Sequence, residues 1–143
     1  MPAVKEPVGL AMGLRPDGAT LVPWASGRPA AWDATVADTL AATYMDRTAH
    51  AAGAAAEALA AAKVRKYDAL ADKYIIVPLA FETLGPICAE GVSFVRDLGK
   101  RLTEVSRDLR ETAYLFQRLS IAIQRGNALS VLATLNSGTK DLY

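Results

Sequence analysis

Short apolar segments bounded by turn-forming residues predict the β-strands of this chain. The predicted strands are Val4–Leu10, Ala19–Trp24, Ala30–Val36 and Tyr74–Thr83. The second and third are separated only by Ala25–Pro29, where Gly27 is free to adopt a positive φ, so we expect a hairpin there. Pro78 has no backbone N–H, which predicts an edge position or a bulge for the last strand.

Composition and helical periodicity account for most of the remaining chain. One segment, 51–72, is rich in alanine, the strongest helix former, and two segments, 93–104 and 110–124, carry apolar residues at a spacing of four. The predicted helices are Ala51–Asp72, Ser93–Glu104, Arg110–Gln124 and Asn127–Leu135, with Gly126 ending the third. Strand, hairpin, helix, strand and further helices in this order indicate an α/β sandwich.

The length and composition bound the class of protein. A chain of 143 residues, 52% of them hydrophobic, is expected to form one ordinary domain with a real core. We place the α/β core in residues 1–105 and helices packed on it in 106–143, with frayed last residues. No apolar run approaches the ~18 residues of a membrane span, no signal-peptide pattern is present, and the single cysteine, Cys88, excludes a disulfide framework within the chain. We therefore expect an intracellular protein with no membrane partner.

The charge balance is close to neutral, and its distribution is more informative than its sum. The net charge of +1 is not that of a typical nucleic-acid-binding domain. Residues 1–50 and 51–90 each carry four Lys/Arg against five Asp/Glu, whereas residues 91–143 carry eight against five. A mild basic bias therefore lies toward the C-terminal helices.

Two aspartates of the predicted hairpin are the first candidates for chemistry. Asp17 stands at the start of the first strand, and Asp33 lies midway along the second. The hairpin can bring both carboxylates to the same edge of the sheet, where they would repel each other. A hard divalent cation is the usual remedy for such repulsion.

A set of short motifs, in a fixed order along most of the chain, resembles a known nuclease family. The motifs are RPDG at 15–18, LVPW at 21–24, WDAT at 32–35, KVRKY at 63–67, FETLG at 81–85, QRL at 117–119 and QRGN at 124–127. They resemble the PD-(D/E)XK nucleases, and more closely the restriction-like endonuclease domain that follows the reverse transcriptase in non-LTR retrotransposon proteins. The resemblance implies a PD-(D/E)XK core, a small mixed sheet with flanking helices and a helical C-terminal part.

The same resemblance implies a function and partners. The function is that of a Mg²⁺- or Mn²⁺-dependent DNA endonuclease that nicks target DNA for retrotransposition. The partners are DNA and an upstream reverse transcriptase and zinc-knuckle segment of the same polyprotein, in the nucleus if the host is a eukaryote. Family members begin with a helix before the first strand, whereas this chain begins at the strand, as in an N-terminally truncated copy. The alternative is therefore a catalytically inactive remnant that acts as a DNA-binding or scaffold module.

The family pattern also assigns roles to individual residues. Two carboxylates and a backbone carbonyl bind the metal ion, and a lysine orients or activates the attacking water. In this sequence Asp17, Asp33 and the Ala34 carbonyl are the implied metal ligands, with Glu6 as a further, outer carboxylate. The lysine normally stands two residues after the second acid, on the same face of the strand. Here that position is Thr35, which has no ammonium group and cannot take the role of this lysine.

The alanine-rich helix offers a replacement for the missing lysine. At 100° per residue, Lys63 and Lys66 fall within an arc of ~60° together with Leu59 and Leu70. A lysine within an apolar stripe either extends along it to solvent or reaches a buried anion. The retrotransposon endonucleases look to have a lysine on this helix, in a Lys-x-x-Lys-Tyr setting like the one that ends at Tyr67. Both lysines are candidate catalytic residues, and Lys63 is slightly preferred.

Several candidates are equally compatible with a plain structural role. Arg15, Arg118 and Arg125 are the candidate DNA contacts, but a solvated position explains the last two equally well. Asp17 in Pro-Asp-Gly is also typical of a simple turn. Glu82, inside an apolar strand, either pairs with an Arg or Lys or lines the site, and the structural interpretation is preferred.

Overall fold

A computed structural model describes residues 3–5, 13–37 and 52–140, with side chains described as far as residue 135. The chain divides into two compact units, Met1–Phe94 and Val95–Tyr143. The first unit holds the sheet and the helix that covers one of its faces, and it contains the candidate site. The sequence prediction placed the end of the core later, at residue 105.

The described strands form one four-stranded mixed sheet, so the chain belongs to the α/β class. The strands are β1 (Ala3–Lys5), β2 (Gly18–Thr20), β3 (Ala30–Ala37) and β4 (Ile75–Glu82). They lie side by side in chain order; β1, β2 and β3 pair antiparallel, whereas β3 and β4 pair parallel. The β3–β4 register runs from Ala30 opposite Ile75 to Ala37 opposite Glu82. A parallel pair requires a crossover, and the alanine-rich helix lies between these two strands in sequence.

The predicted hairpin forms, but its first strand is shorter than expected. β2 ends at Thr20, whose hydroxyl accepts a hydrogen bond from the Ala30 N–H at 3.0 Å and donates one to the Val22 carbonyl at 2.8 Å. This side chain replaces the next backbone ladder bonds, so the prediction of a strand to Trp24 was wrong. At the turn itself Ser26 and Gly27 have φ of 50° and 70°, the paired positive values that suit the twist of a tight hairpin.

Pro78 lies in β4, an edge strand of the described sheet, where a missing backbone N–H is tolerated. β4 is the last strand of the described sheet, as Pro78 predicted, and Pro78 is fully buried. Its carbonyl accepts a hydrogen bond from the buried Cys88 thiol at 3.2 Å. The cysteine thus serves packing beside the edge of the sheet.

The helix α1 (Ala54–Lys66) is shorter than the predicted Ala51–Asp72 and packs on β3 and β4. It begins after Gly53, whose φ of 86° is a left-handed conformation, and it ends at Tyr67, where a 3-10 turn follows. Ala56 and Ala60 on its inner side are buried against Ala80 of β4. Such small side chains allow the helix backbone to approach the sheet closely.

Within the described residues, two further helices follow, α2 (Ala89–Ser106) and α3 (Glu111–Lys140). The prediction that Gly126 ends a helix was wrong, since α3 continues through it without a break. A glycine inside a helix costs only about 1 kcal/mol relative to alanine, and its flanking residues, mostly helix-compatible, outweigh that. No helix within the described residues is long and apolar enough to cross a membrane.

In the second unit, the start of α3 is fixed by a local ion pair. The Asp108 carboxylate accepts hydrogen bonds from the Arg110 backbone N–H at 2.9 Å and from the Arg110 guanidinium at 3.0 and 3.1 Å. These bonds lower the pKa of Asp108. Within the same unit, Gly99 of α2 lies so close to Thr112 of α3 that no side chain would fit there.

An aromatic cluster covers the sheet face opposite Asp33. The Trp24 and Trp32 rings lie 4.9 and 6.2 Å from the Phe94 ring, measured between centroids. Neighbouring strand residues point to opposite faces, so Trp32 and Asp33 are separated by the sheet. The Trp32 ring crosses directly over Gly18, where an added Cβ would overlap it.

We predict that Gly18→Ala lowers the free energy of unfolding by about 1–3 kcal/mol, because the new methyl group displaces the Trp32 ring from its cluster. Gly126→Ala is the matched control: nothing lies within 4 Å of its Cβ, so it should stabilise α3 by up to about 1 kcal/mol. Denaturant unfolding of both variants measures the two effects. A Gly18→Ala protein as stable as wild type would contradict the packing described here.

Candidate functional site

The register of the hairpin brings Asp17 next to Asp33. Gly18 pairs with Trp32, so Asp17 lies one step beyond the ladder, at the level of Asp33 on the neighbouring strand. The Asp17 Oδ2 accepts a hydrogen bond of 2.7 Å from the backbone N–H of Ala34, the residue that follows Asp33. The Asp17 side chain is exposed to solvent.

Asp33 is the buried carboxylate of the cluster. Its exposed fraction is 6%, and it points to the face of the sheet on which α1 packs. The Lys63 Nζ lies 2.7 Å from the Asp33 Oδ2. The two groups form an ion pair, and the same oxygen accepts no hydrogen bond from the described residues. A buried carboxylate requires such a counter-charge.

Tyr67 completes the cluster from the end of α1. It lies one helical turn after Lys63, and its exposed fraction is only 1%. Its hydroxyl donates a hydrogen bond of 3.2 Å to the Arg15 backbone carbonyl. Burial raises the pKa of Tyr67 to about 12, with further contributions from the charge of Asp33, a side-chain hydrogen bond to Asp33 and the charge of Asp17. The hydroxyl therefore stays protonated at neutral pH.

Of the two candidate lysines on α1, only Lys63 contacts the described carboxylates of the cluster. Lys66 is exposed, and its ammonium lies 5.1 Å from the centroid of the Tyr67 ring, a cation–π contact. The 60° of helix rotation between the two lysines is enough to carry Lys66 off the sheet. The structure thus places one lysine at Asp33 and the other at the surface.

The remaining implied ligands are placed less completely. Thr35 is half-buried and lies on the same face of β3 as Asp33, two residues away, without a charge to offer. Ala34 is exposed, with its N–H bound by Asp17. Glu6 lies outside the described residues. Across residues 3–5, 13–37 and 52–140, no three His, Cys, Asp or Glu side chains are grouped so as to hold a metal ion by themselves.

Glu82 shares the sheet face of Asp33 but not its site. It pairs in register with Ala37, four residues beyond Asp33, which corresponds to ~13 Å along the strand. It is fully buried, and neither carboxylate oxygen has a hydrogen-bond partner in the described part of the chain. The Arg or Lys partner expected from the sequence is therefore not found among those residues.

The three candidate DNA contacts are all exposed. Arg15 directly precedes Pro16-Asp17 and thus lies at the rim of the cluster. Arg118 and Arg125 are on α3, in the second unit, seven residues apart and so on one side of that helix.

Sequence reasoning treated Tyr67 only as a neighbour of the lysines. The signal that could have found it is its spacing, because positions 63 and 67 are one turn apart and share a helix face. An aromatic residue one turn after a lysine that reaches a carboxylate lies beside the same cluster, and here its hydroxyl bonds the Arg15 carbonyl.

We predict that Tyr67 ionises near pH 12, whereas an ordinary tyrosine ionises near pH 10. Because the pKa is raised in the folded state, this hydroxyl's contribution to stability is complete below about pH 10. It is lost as the pH rises from about 10 through about 12. Tyrosinate absorbance against pH, compared with Tyr67→Phe, measures the titration. If Tyr67→Phe removes a group that titrates near pH 10, the described environment of Tyr67 is wrong.

No protein-family model matches the chain, and neither a curated protein nor a solved structure matches it.

Proposed function

We propose that this chain is a metal-dependent DNA endonuclease domain with a PD-(D/E)XK-type core, one that nicks target DNA for retrotransposition. The observation that carries the proposal is the 2.7 Å contact between Lys63 and Asp33, beside an Asp17 that is bound to the next backbone N–H. Two acids and a lysine from three separate segments converge beside the start of β2. The lysine comes from a helix, which compensates for Thr35 in the strand.

The residues present fit a divalent cation of the Mg²⁺ type. Mg²⁺ is commonly bound by one or two carboxylates together with waters and substrate phosphates, so a third protein carboxylate is not required. Asp33 offers a buried carboxylate whose Oδ2 is paired with the Lys63 ammonium, and Asp17 offers an exposed carboxylate next to it. Asp17 and Asp33 would hold the ion, with the Ala34 carbonyl and Glu6 as the further ligands that the resemblance implies. When bound, the ion would supply Lewis-acid stabilisation of phosphate charge and a more acidic water.

The side chains of the chain itself would do the remaining work. The Lys63 side chain is 23% exposed beside Asp33, so its ammonium can hold an attacking water and offset the negative charge that develops on the phosphate. Asp33 keeps that ammonium in place before DNA arrives. Arg15 at the rim, and Arg118 and Arg125 on α3, are proposed to bind DNA phosphates, which position the duplex without reading its sequence. An upstream reverse transcriptase and zinc knuckle in the same polyprotein, in the nucleus of a eukaryotic host, belong to this proposal.

One observation favours a catalytically inactive remnant that binds DNA or acts as a scaffold. The Lys63–Asp33 ion pair already neutralises the buried carboxylate, so the fold has no electrostatic need of a metal ion at Asp33. In such a protein the pair would be structural. DNA binding without any strand cleavage would identify this second function.

We predict that Lys63→Met slows plasmid nicking by ~10²–10³, the usual effect of removing one stabiliser of transition-state charge. Methionine keeps the length of the stem, so the change removes charge and little packing. The assay converts supercoiled plasmid to nicked plasmid in the presence of Mn²⁺. Lys66→Met, three residues along the same helix, should slow the reaction far less because its ammonium is at the surface.

Lys73→Met is the control for the loss of one positive charge, since Lys73 is exposed and outside the cluster. Equal rates for wild type, Lys63→Met and Lys66→Met would contradict the role given to the helix lysine. DNA binding by wild type with no nicking at any Mn²⁺ concentration would favour the remnant.

A second prediction concerns the metal ion directly. Mn²⁺ should raise the Tm of the wild-type protein, because a ligand that binds only the folded state stabilises it by about 2.7 kcal/mol at 100 times its dissociation constant. Asp17→Asn should abolish the rise, while its amide oxygen can still accept the Ala34 hydrogen bond. Differential scanning calorimetry measures both, with Asp72→Asn, an exposed acid elsewhere, as the control. An equal rise in Asp17→Asn would place the bound ion outside this cluster.

A further inference from the structure

Tyr67 is a buried polar group of the cluster for which the proposed chemistry has no use. The residue is only 1% exposed, and its hydroxyl donates its single hydrogen to the Arg15 backbone carbonyl at 3.2 Å. Lys63, one helical turn earlier on α1, lies 2.7 Å from Asp33. The end of α1 therefore contacts both the segment that carries Asp17 and the Asp33 carboxylate.

The link to Arg15 has a direct consequence for Asp17. The hydrogen bond joins positions 52 residues apart in sequence and attaches the segment before β2 to the end of α1. Pro16, between Arg15 and Asp17, is fully buried and cannot donate a backbone hydrogen bond of its own. Two residues span at most ~7 Å, so fixing the Arg15 carbonyl restricts where the Asp17 carboxylate can be.

The other end of the Asp17 segment is fixed by the sheet. The Asp17 carboxylate bonds the Ala34 N–H, and Gly18 pairs with Trp32 immediately afterwards. Without the Tyr67 hydroxyl, the segment before Asp17 would lose this attachment to α1, and the Asp17 carboxylate would depend on its contact with Ala34, which it makes from an exposed position. An exposed carboxylate with one hydrogen bond can rotate into solvent. The distance between the Asp17 and Asp33 carboxylates would then vary.

We propose that Tyr67 is a positioning residue of this site, whose hydroxyl ties the Arg15–Asp17 segment to the end of α1, beside the Lys63 that pairs with Asp33, so that one divalent cation can bind both carboxylates. The inference rests on the proposed nuclease function. Tyr67 does not touch the reacting phosphate; it acts through the spacing of Asp17 and Asp33. Its effect should therefore appear in metal affinity and be overcome by more metal.

The test compares wild type, Tyr67→Phe and, as a control for loss of a tyrosine hydroxyl elsewhere, Tyr74→Phe. Isothermal titration calorimetry measures Mn²⁺ binding, and steady-state nicking measures kcat and KM at several Mn²⁺ concentrations. In Tyr67→Phe the Mn²⁺ dissociation constant should rise by about two- to tenfold, the effect of one hydrogen bond. At low Mn²⁺ kcat should fall by the same factor with KM for DNA unchanged, and high Mn²⁺ should restore it. Tyr74→Phe should behave as wild type.

Amide hydrogen exchange of Ala34 separates this inference from the nuclease function. In Tyr67→Phe the Ala34 N–H should exchange faster, because its hydrogen bond to the Asp17 carboxylate is broken more often. This result is expected whether or not the protein cleaves DNA. If wild type neither binds Mn²⁺ nor nicks, the nuclease proposal fails, and faster Ala34 exchange in Tyr67→Phe would still support the positioning of Asp17. Unchanged Ala34 exchange together with unchanged Mn²⁺ affinity overturns the role of Tyr67. Should Tyr67→Phe not fold, rapid Ala34 exchange in wild type would overturn it as well.

Discussion

The close approach of α1 to the sheet is the constraint on which the candidate site depends. Ala56 and Ala60 present only methyl groups to Ala80, so the helix axis lies nearer to the strands than larger side chains would allow. One turn further along, that short distance brings the Lys63 ammonium within 2.7 Å of Asp33. A bulkier residue at either alanine would lift the helix and separate the lysine from its carboxylate, since packed interiors do not absorb added volume easily.

The same helix places a second group beside that carboxylate. Lys63 and Tyr67 are one turn apart, so the position of the helix determines both the counter-charge of Asp33 and the hydrogen bond from the Tyr67 hydroxyl to the Arg15 carbonyl. The carboxylate lies in an interior where an unpaired charge would be strongly destabilising. The buried Asp33 carboxylate thus favours the helix position that brings Lys63 to it, and the small side chains of Ala56 and Ala60 allow that position.

The two faces of the sheet carry different kinds of side chain. On one face Trp24, Trp32 and Phe94 form an aromatic cluster, and Gly18 leaves the space that the Trp32 ring requires. On the other face lies the charged group under α1. Because Trp32 and Asp33 are adjacent in sequence, the aromatic cluster fixes the strand that carries the carboxylate. Stability and the candidate chemistry are therefore coupled through β3.

Local patterns in the sequence were sufficient for the hairpin turn at Gly27, the edge position of Pro78 and the existence of the alanine-rich helix. Each of these depends on the conformational limits of residues close together in the chain. They also indicated that Asp17 and Asp33 lie near one another, since hairpin register follows from the turn. The sequence could not say that Thr20 ends β2 with its own hydroxyl, nor that α3 continues through Gly126. Periodicity placed Lys63 and Lys66 in the same arc, and only the depth at which α1 packs on the sheet separated them. The contact of Tyr67 with Arg15 joins positions 52 residues apart, and no local pattern carries such a distance; tertiary packing decided it.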